Sequence, residues 1–466
     1  MMGHDAASMP LPWAIPLDET VARTTRSGVT ILTTDALTGL ASLPDQSVHM
    51  VITSPPYYHL RDYRVHPTIW PPVQYSPMPG VSPMVYPPQA NPQAFPGCTH
   101  NWGPPFEDGP SSLHSAYGQI CRLCGAWRGC LGQEPSLELY IGHIVHVARA
   151  LRRVLRPDGT FWLNVGDSRS SGKRTTRDIG PKCAARAANH RPPEQAALGE
   201  KNLFGIPWRI AFALQSDGWT LRSDIVWAKR NPLPESVKDR PSSSHEMMFL
   251  FASSPQYYYD HLAVREPHAP SSVARQRRRR SDHHKWRDGG PGGQTITKTS
   301  ERAIHPGGHN KRDVWFLAST PYKGAHFAVF PIPLVKPAIQ AGTAEGGVCA
   351  ICGTPASRQV TRVTGDTPPS FQGSSFTAGK TQIAQTGTSP QGRGPRTVAW
   401  VHEGWAPGCA CHAPLVPATV LDPFGGAGTT ALVARSLGRQ AILIEASPES
   451  VALAWERIGE DAPSEG

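Results

Sequence analysis

The chain has 466 residues, with 46 lysines and arginines against 36 aspartates and glutamates, a formal net charge of +10. That length suits two to three domains and a sizeable core. Proline (48) and glycine (44) make up about a fifth of the chain, below the ~25–30% of wholly disordered sequences, so folded domains with long Pro/Gly-rich insertions are expected. No apolar run approaches the ~18–20 residues of a membrane helix, and the first residues lack the basic-then-apolar layout of a signal peptide. Nine cysteines are too sparse for a disulfide scaffold, and their clustering points to metal binding in a reducing cytoplasm. The positive charge fits nucleic acid and a bland basic surface equally well.

In chain order, residues 1–27 read as a flexible leader, 28–34 as a strand, ALTGLASLP as a short helix or turn, and 47–54 as a second strand. Between Pro67 and Pro110 there are 13 prolines in 44 residues, which predicts irregular loop. A helix is expected over Ser136–Arg156, where Leu137, Tyr140, Ile141, Ile144, Val147, Ala148, Leu151 and Leu155 recur at helical spacing. A strand follows at 159–167, then a polar stretch at 168–200 and a helix ending near Gly218. TLRSDIVWAK, EMMFLFAS and RDVWFL read as strands. The basic, apolar-poor segment 262–311 separates the last two, and a polar insertion fills 353–398. The C-terminal stretch reads as strand 418–422, glycine loop and helix, strand 438–446, and a helix capped by Ser447. That βαβα unit predicts a parallel sheet with flanking helices.

Asp422-Pro423-Phe424-Gly425-Gly426-Ala427-Gly428-Thr429-Thr430 leaves a strand and opens a helix. Such glycines let a ligand approach the backbone, and the helix N-terminus offers free N–H groups. It is not the GxGxxG fingerprint, and a carboxylate at the strand end suits a cationic ligand better than a pyrophosphate. Glu445 ends the next strand, where a carboxylate can accept both ribose hydroxyls of an adenosyl group. Earlier, Thr53-Ser54-Pro55-Pro56-Tyr57 ends a strand. Its rigid prolines, Ser54 hydroxyl, Pro55 carbonyl and tyrosine face can accept from an exocyclic amine and stack a planar base.

TSPPY and DPFGGAGTT resemble the two signature motifs of the amino-group DNA methyltransferases, which use S-adenosylmethionine to methylate cytosine N4 or adenine N6. The catalytic motif comes first and the cofactor motif last, as in the permuted β class. WLNVGDS, WTLRSDIVWAKRNPLPES, HEMMFLF, RDVW and HFAVFPIPL match the same family, so that the resemblance covers roughly residues 28–336 and 415–460. It implies an α/β, Rossmann-like, circularly permuted methyltransferase fold. Carried over, it makes Ser54, Pro55, Pro56 and Tyr57 the base-holding residues. Asp422, Phe424, Gly425, Gly426, Gly428 and Thr429 become the cofactor loop and Glu445 the ribose ligand. His326 and Phe330, with Pro331, would lie beside the methionine end of the cofactor. Asp35 matches an acidic position near the cofactor adenine, and reads equally as a helix N-cap. Methylation at cytosine carbon-5 would need a thiolate in a Pro-Cys motif, which this chain lacks. Ser54 favours cytosine N4, because adenine members of the family more often carry Asp there. N6-adenine methylation is the alternative, and a zinc-stapled DNA-binding protein with an inactive core is the non-enzyme reading.

Cys349, Cys352, Cys409 and Cys411 have the spacing of one tetrahedral zinc site, with His412 as a substitute ligand. Cys98, His100, Cys121 and Cys124 make a second four-ligand set, with Cys130 in reserve. One or two structural zinc ions would staple insertions otherwise too polar to fold. Arg275, Arg277, Arg278, Arg279, Arg280, Lys285 and Arg287 form a basic run suited to phosphate contact and guanine reading. Arg169, Lys173, Arg174 and Arg177 are a second candidate.

The expected organisation is a leader (1–27), a catalytic half (28–261) with a zinc-binding insertion at about 66–135, and a basic target-recognition segment (262–311). A cofactor half (312–460), with a zinc-binding insertion at about 345–413, and a tail (461–466) complete it. Double-stranded DNA is the expected partner in a prokaryotic or phage-infected cytoplasm, with no membrane. A homodimer and a cognate restriction nuclease on a separate chain stay open.

Overall fold

The computed structural model describes residues 21–60, 65–105, 118–170, 198–272, 307–319, 330–364 and 397–460. Its centre is a nine-stranded sheet. The strands, in chain order, are β1 (Ala22–Arg26), β2 (Val29–Thr33), β3 (Val48–Thr53), β4 (Leu155–Val165), β5 (Thr220–Lys229), β6 (His245–Ala252), β7 (Val314–Leu317), β8 (Thr419–Asp422) and β9 (Gln440–Glu445). Their spatial order is β1-β2-β9-β8-β3-β4-β6-β5-β7. Only β1 and β6 run against the rest. This is the mostly parallel α/β sheet that the motifs imply.

Six helices position the site: α1 (Ala36–Ala41), α2 (Leu137–Val154), α3 (Ile206–Ser216), α4 (Ile332–Gly342), α5 (Thr429–Ser436) and α6 (Pro448–Glu460). Alternating strand residues feed two cores, as a pleated strand buried on both faces requires. Val51, Phe161, Leu163, Phe249 and Phe251 pack with α1, α2 and α3. Met50, Ile52, Trp162, Met248 and Leu250 pack with α4, α5 and α6 on the opposite face. The α2 helix forms as its spacing predicts. Its Ser136 cap accepts from Leu139 N, and its apolar stripe is buried.

Three features depart from the sequence reading. Ala22–Arg26, assigned there to the leader, is an edge strand pairing with β2 through a Ser27-Gly28 turn with both residues at positive φ. That turn geometry matches the twist of a hairpin. The Pro-rich stretch, expected as irregular loop, holds the short strands Thr68–Trp70, Val73–Tyr75 and Met84–Tyr86, because its prolines fall between them. Helix α4 escaped the sequence reading because of its prolines. Pro331 caps it and Pro333 sits in its first turn, where no N–H is missed. Among the described residues no helix is long and apolar enough to cross a membrane.

The chain leaves β3 toward α2 on one face and leaves β8 toward α5 on the other. Since β3 and β8 are neighbours, the crossover direction reverses between them. Open parallel sheets bind ligands at such a point, beyond the carboxyl ends of the strands.

Candidate active site

A cleft of about 490 Å³ lies at that point. It is floored by the segments leaving four neighbouring parallel strands: Thr34–Ala36 after β2, Ser54, Pro56 and Tyr57 after β3, Pro423–Ala427 after β8, and Ile444–Ser447 at the end of β9. Thr68, Trp70, Cys130 and Leu131 make a further wall, and Phe330 also lines the cleft.

The glycine loop is shaped by close packing. A Cβ on Gly425 would stand 2.8 Å from Leu443 Cβ, and Gly426 and Gly428 have φ of +50° and +75°, a region open to glycine. Glu445 braces the loop. One carboxylate oxygen accepts from Gly426 N at 2.8 Å and the other from Ser447 N at 2.8 Å. Burial raises its pKa above the usual carboxylate range. Each oxygen keeps a lone pair for a ligand hydroxyl. Asp35 takes the N-cap part of its expected roles and stands at the cleft. It caps α1, accepting from Leu37 N and Thr38 N at 3.0 Å, and lines the cleft.

Asp422 lies behind the cleft, fully buried. Its oxygens accept from Thr53 Oγ1 (2.6 Å), Thr430 Oγ1 (2.6 Å) and Phe424 N (3.1 Å). Burial pushes its pKa up to about 7. The carboxylate therefore ties the end of the Ser54 strand to the glycine loop, and its partners here are protein donors. Gly428 and Pro55 also lie outside the cleft lining, while Thr429 belongs to it and accepts from Arg457 Nη1 at 2.7 Å.

Ser54 and Tyr57 face the cleft through a network invisible in the local sequence. Ser54 Oγ lies 3.2 Å from the Tyr57 hydroxyl. That hydroxyl donates to Glu246 Oε2 at 2.7 Å and lies 3.2 Å from Asn164 Oδ1. Lys229 pairs with the other oxygen of Glu246 at 2.5 Å. Strands β4, β5 and β6 thus fix the tyrosine ring, and buried Gly166 gives it room. The Pro56 carbonyl accepts from the Tyr140 hydroxyl at 2.8 Å. Below the wall, Glu134 and His143 are both fully buried 3.0 Å apart. Burial raises the Glu134 pKa to about 8 and lowers that of His143 to about 3.

Both cysteine sets come together. The ligand atoms of Cys98, His100, Cys121 and Cys124 lie within 4.8 Å of one another, as do those of Cys349, Cys352, Cys409 and Cys411. Cys130 stands apart at the cleft, with its sulfur 3.2 Å from Val65 O. His326 and the basic run Arg275–Arg287 lie outside the described residues, as do Lys173, Arg174 and Arg177. Arg169 is described and reaches Ser243 Oγ at 2.9 Å.

A cleft at the carboxyl ends of a parallel sheet, floored by a glycine loop, an acidic strand end and a Ser-Pro-Pro-Tyr turn, defines a methyltransferase-type site. The N6/N4 methyltransferase family model, described as DNA methylase, matches residues 48–350 and 417–456. The chain belongs to this DNA methylase family. It is similar to Type II methyltransferase M.XycI of Xanthomonas campestris pv. cyanopsidis, with 31% identity over 431 residues, covering 92% of this chain and 88% of that one. M.SmaI of Serratia marcescens is 33% identical over 330 residues, covering 71% and 77%. Among solved structures, the PvuII DNA methyltransferase (cytosine-N4-specific) aligns with a TM-score of 0.43 and 14% identity, covering 94% of this chain and 89% of that one.

Proposed function

We propose that this DNA methyltransferase transfers a methyl group from S-adenosylmethionine to the N4 amine of a cytosine at a specific site in double-stranded DNA. The observation that carries this reading is the meeting of Ser54 and Tyr57 with the Phe424–Gly426 loop and Glu445 in one cleft. The cleft volume lies in the usual ~300–1,000 Å³ range of small-ligand sites.

The cleft residues fit the cofactor. Glu445, with lone pairs to spare, takes the ribose hydroxyls. Phe424 and Ile444 supply apolar contact, and Phe330 flanks the reacting end. Asp35, Glu445 and Glu449 line the cleft and suit a cationic ligand. S-adenosylmethionine, when bound, supplies an electrophilic sulfonium methyl.

Ser54 Oγ accepts from the base amine and leaves electron density on its nitrogen. Pro55 and Pro56 hold the turn rigid. Tyr57, anchored by Glu246 and Asn164, offers its ring to the flipped base. Nitrogen attack then needs alignment more than a nucleophilic side chain, so most of the catalysis is positioning. Asp422 keeps the two halves of the cleft in register. Residues 28–261 act as the catalytic half and 312–460 as the cofactor half, and the Arg275–Arg287 run serves DNA contact.

Ser54 supports cytosine over adenine, since adenine enzymes of this type more often carry Asp there. The Type II names of the relatives support a partner nuclease on a separate chain and a cytoplasmic setting. The decisive experiment incubates purified protein with duplex DNA and S-adenosylmethionine, digests the DNA, and weighs the nucleosides. N4-methyl-2′-deoxycytidine is expected; N6-methyl-2′-deoxyadenosine alone would replace this reading with the adenine one. Failure of the wild type to bind S-adenosylmethionine would favour a DNA-binding protein with an inactive core.

A further inference from the structure

We propose that the chain carries two structural zinc ions, held by two copies of one knuckle, and that the first zinc fixes a wall of the catalytic cleft.

The two knuckles share sequence and backbone. Cys121-Arg122-Leu123-Cys124-Gly125 and Cys349-Ala350-Ile351-Cys352-Gly353 both read CxxCG. In each, the glycine has positive φ, +83° and +67°. In each, the glycine N–H donates to the first cysteine carbonyl, at 2.9 and 2.8 Å. In each, the first cysteine N–H donates to the carbonyl five residues on, Ala126 at 2.8 Å and Thr354 at 2.9 Å. A C-x-H pair (Cys98, His100) completes the first site and a C-x-C pair (Cys409, Cys411) the second.

At the first site two ligand spacings match a tetrahedral ion. With Zn–S near ~2.3 Å and Zn–N near ~2.05 Å, neighbouring sulfurs stand about 3.8 Å apart and a sulfur–nitrogen pair about 3.5 Å. Cys98 Sγ and Cys121 Sγ are 3.8 Å apart, and Cys124 Sγ is 3.5 Å from His100 Nδ1. A disulfide would need ~2.05 Å. Backbone N–H groups of His100, Leu123 and Ala126 point at the sulfurs of Cys98, Cys121 and Cys124 at 3.3–3.4 Å, as thiolate ligands require. Among the described residues, the buried apolar cluster at this site is Cys121, Cys124 and Ala126, edged by Ala94, Phe95, Cys98 and Trp102, a small core of the kind that a metal ion supplements.

The two sites serve different ends of the sheet. Directly after the first knuckle, Trp127–Gly129 pairs with Thr68–Trp70, and Thr68, Trp70, Cys130 and Leu131 line the cleft. The second knuckle sits at the amino ends of β3 and β4, where Arg156 Nη1 donates to the Cys352 carbonyl at 2.6 Å. It also joins Val348–Cys349 to Leu415–Val416, just ahead of β8.

The test begins with metal analysis of full-length protein purified and zinc-reconstituted under reductant. Two zinc ions per chain are expected; fewer than two overturns the proposal. Cobalt reconstitution of the wild type should give tetrahedral thiolate–cobalt absorption for two ions, which needs no variant to fold, and its absence overturns the proposal too. Cys124→Ser and Cys352→Ser should each lower the zinc content from two to one. The zinc count stands apart from the methyltransferase reading, and only the kinetic arm rests on it. There, Cys124→Ser should lower kcat/KM by about 10²-fold, the scale of a misplaced active-site wall. Cys352→Ser should lower the melting temperature while leaving KM near wild type. Equal kinetic effects, or a Cys124→Ser enzyme with intact kinetics, would refute the assignment of the first zinc to the cleft wall.

Discussion

Replacing Gly166 with alanine tests whether the Tyr57 ring position limits catalysis. The new Cβ would stand 2.7 Å from Tyr57 Cε2 and 3.1 Å from Cδ2, where carbon contacts prefer about 3.5 Å or more. Gly166 is not at positive φ, so the perturbation is one of space. The ring must retreat by roughly 0.8 Å to restore that separation. Its hydroxyl is held by Glu246 at 2.7 Å and lies beside Asn164 and Ser54, so retreat loosens those contacts. Overpacking of this kind costs about 1–3 kcal/mol. Expressed in the transition state, that is a loss of about 5–150-fold in kcat/KM. Initial rates on duplex DNA, with a melting curve and a cofactor titration alongside, separate the effects. The expected result is slowed transfer with unchanged S-adenosylmethionine affinity. A Gly166→Ala enzyme of full activity, or one whose cofactor affinity falls in step with its rate, would refute the reasoning.

Three further outcomes follow from the same geometry. Asp422→Ala should strand the Thr53 and Thr430 hydroxyls and Phe424 N–H, lowering stability by about 3–5 kcal/mol in urea unfolding, whereas Asp422→Asn should lose less. Tyr57→Phe removes the donor to Glu246 and should cut kcat about tenfold or more, the worth of one charge-assisted hydrogen bond, with little change in cofactor KM. The third concerns pH. Glu134 (raised to about 8) and Asp422 (raised to about 7) hold protons more tightly folded than unfolded. Their contribution is therefore full below about pH 4 and is lost as pH rises through 7–8. His49 and His143, lowered to about 4 and 3, are largely neutral in both states above about pH 7 and add little slope there. These two carboxyls thus contribute a fall in the urea midpoint from pH 7 to 9, set against a rise from Cys121 and Cys352, whose thiols neighbouring hydrogen-bond donors hold low. Glu134→Gln, which can keep both bonds of that side chain, should flatten the fall; an unchanged slope would show that Glu134 does not carry it.

Features that are local in sequence were the legible ones. The strand–glycine loop–helix run around Asp422, the acidic end of β9 and the Ser-Pro-Pro-Tyr turn announce themselves within a few residues. So do the CxxC pairs, whose partners converge over gaps of 23 and about 60 residues. What sequence could not show was built across the sheet. Tyr57 meets Glu246 across 189 positions and Thr53 meets Asp422 across 369, and neither pairing leaves a local mark. The place of Asp422 at a strand end is visible in sequence, and its bonds to Thr53, Thr430 and Phe424 are not. Helix α4 was hidden by Pro331, Pro333 and Pro337, residues that normally end helices but here mostly sit at its start. The cleft wall at Thr68 and Trp70 was hidden by the prolines around it.

The most direct test of the central claim, that one cleft holds cofactor and base amine together, is transfer of a labelled methyl group from S-adenosylmethionine to duplex DNA by wild type and Ser54→Ala. The account predicts label on an exocyclic nucleobase amine with the wild type, and a Ser54→Ala protein that binds the cofactor normally yet transfers far more slowly. Undiminished transfer by Ser54→Ala, or label on a ring carbon, would contradict it.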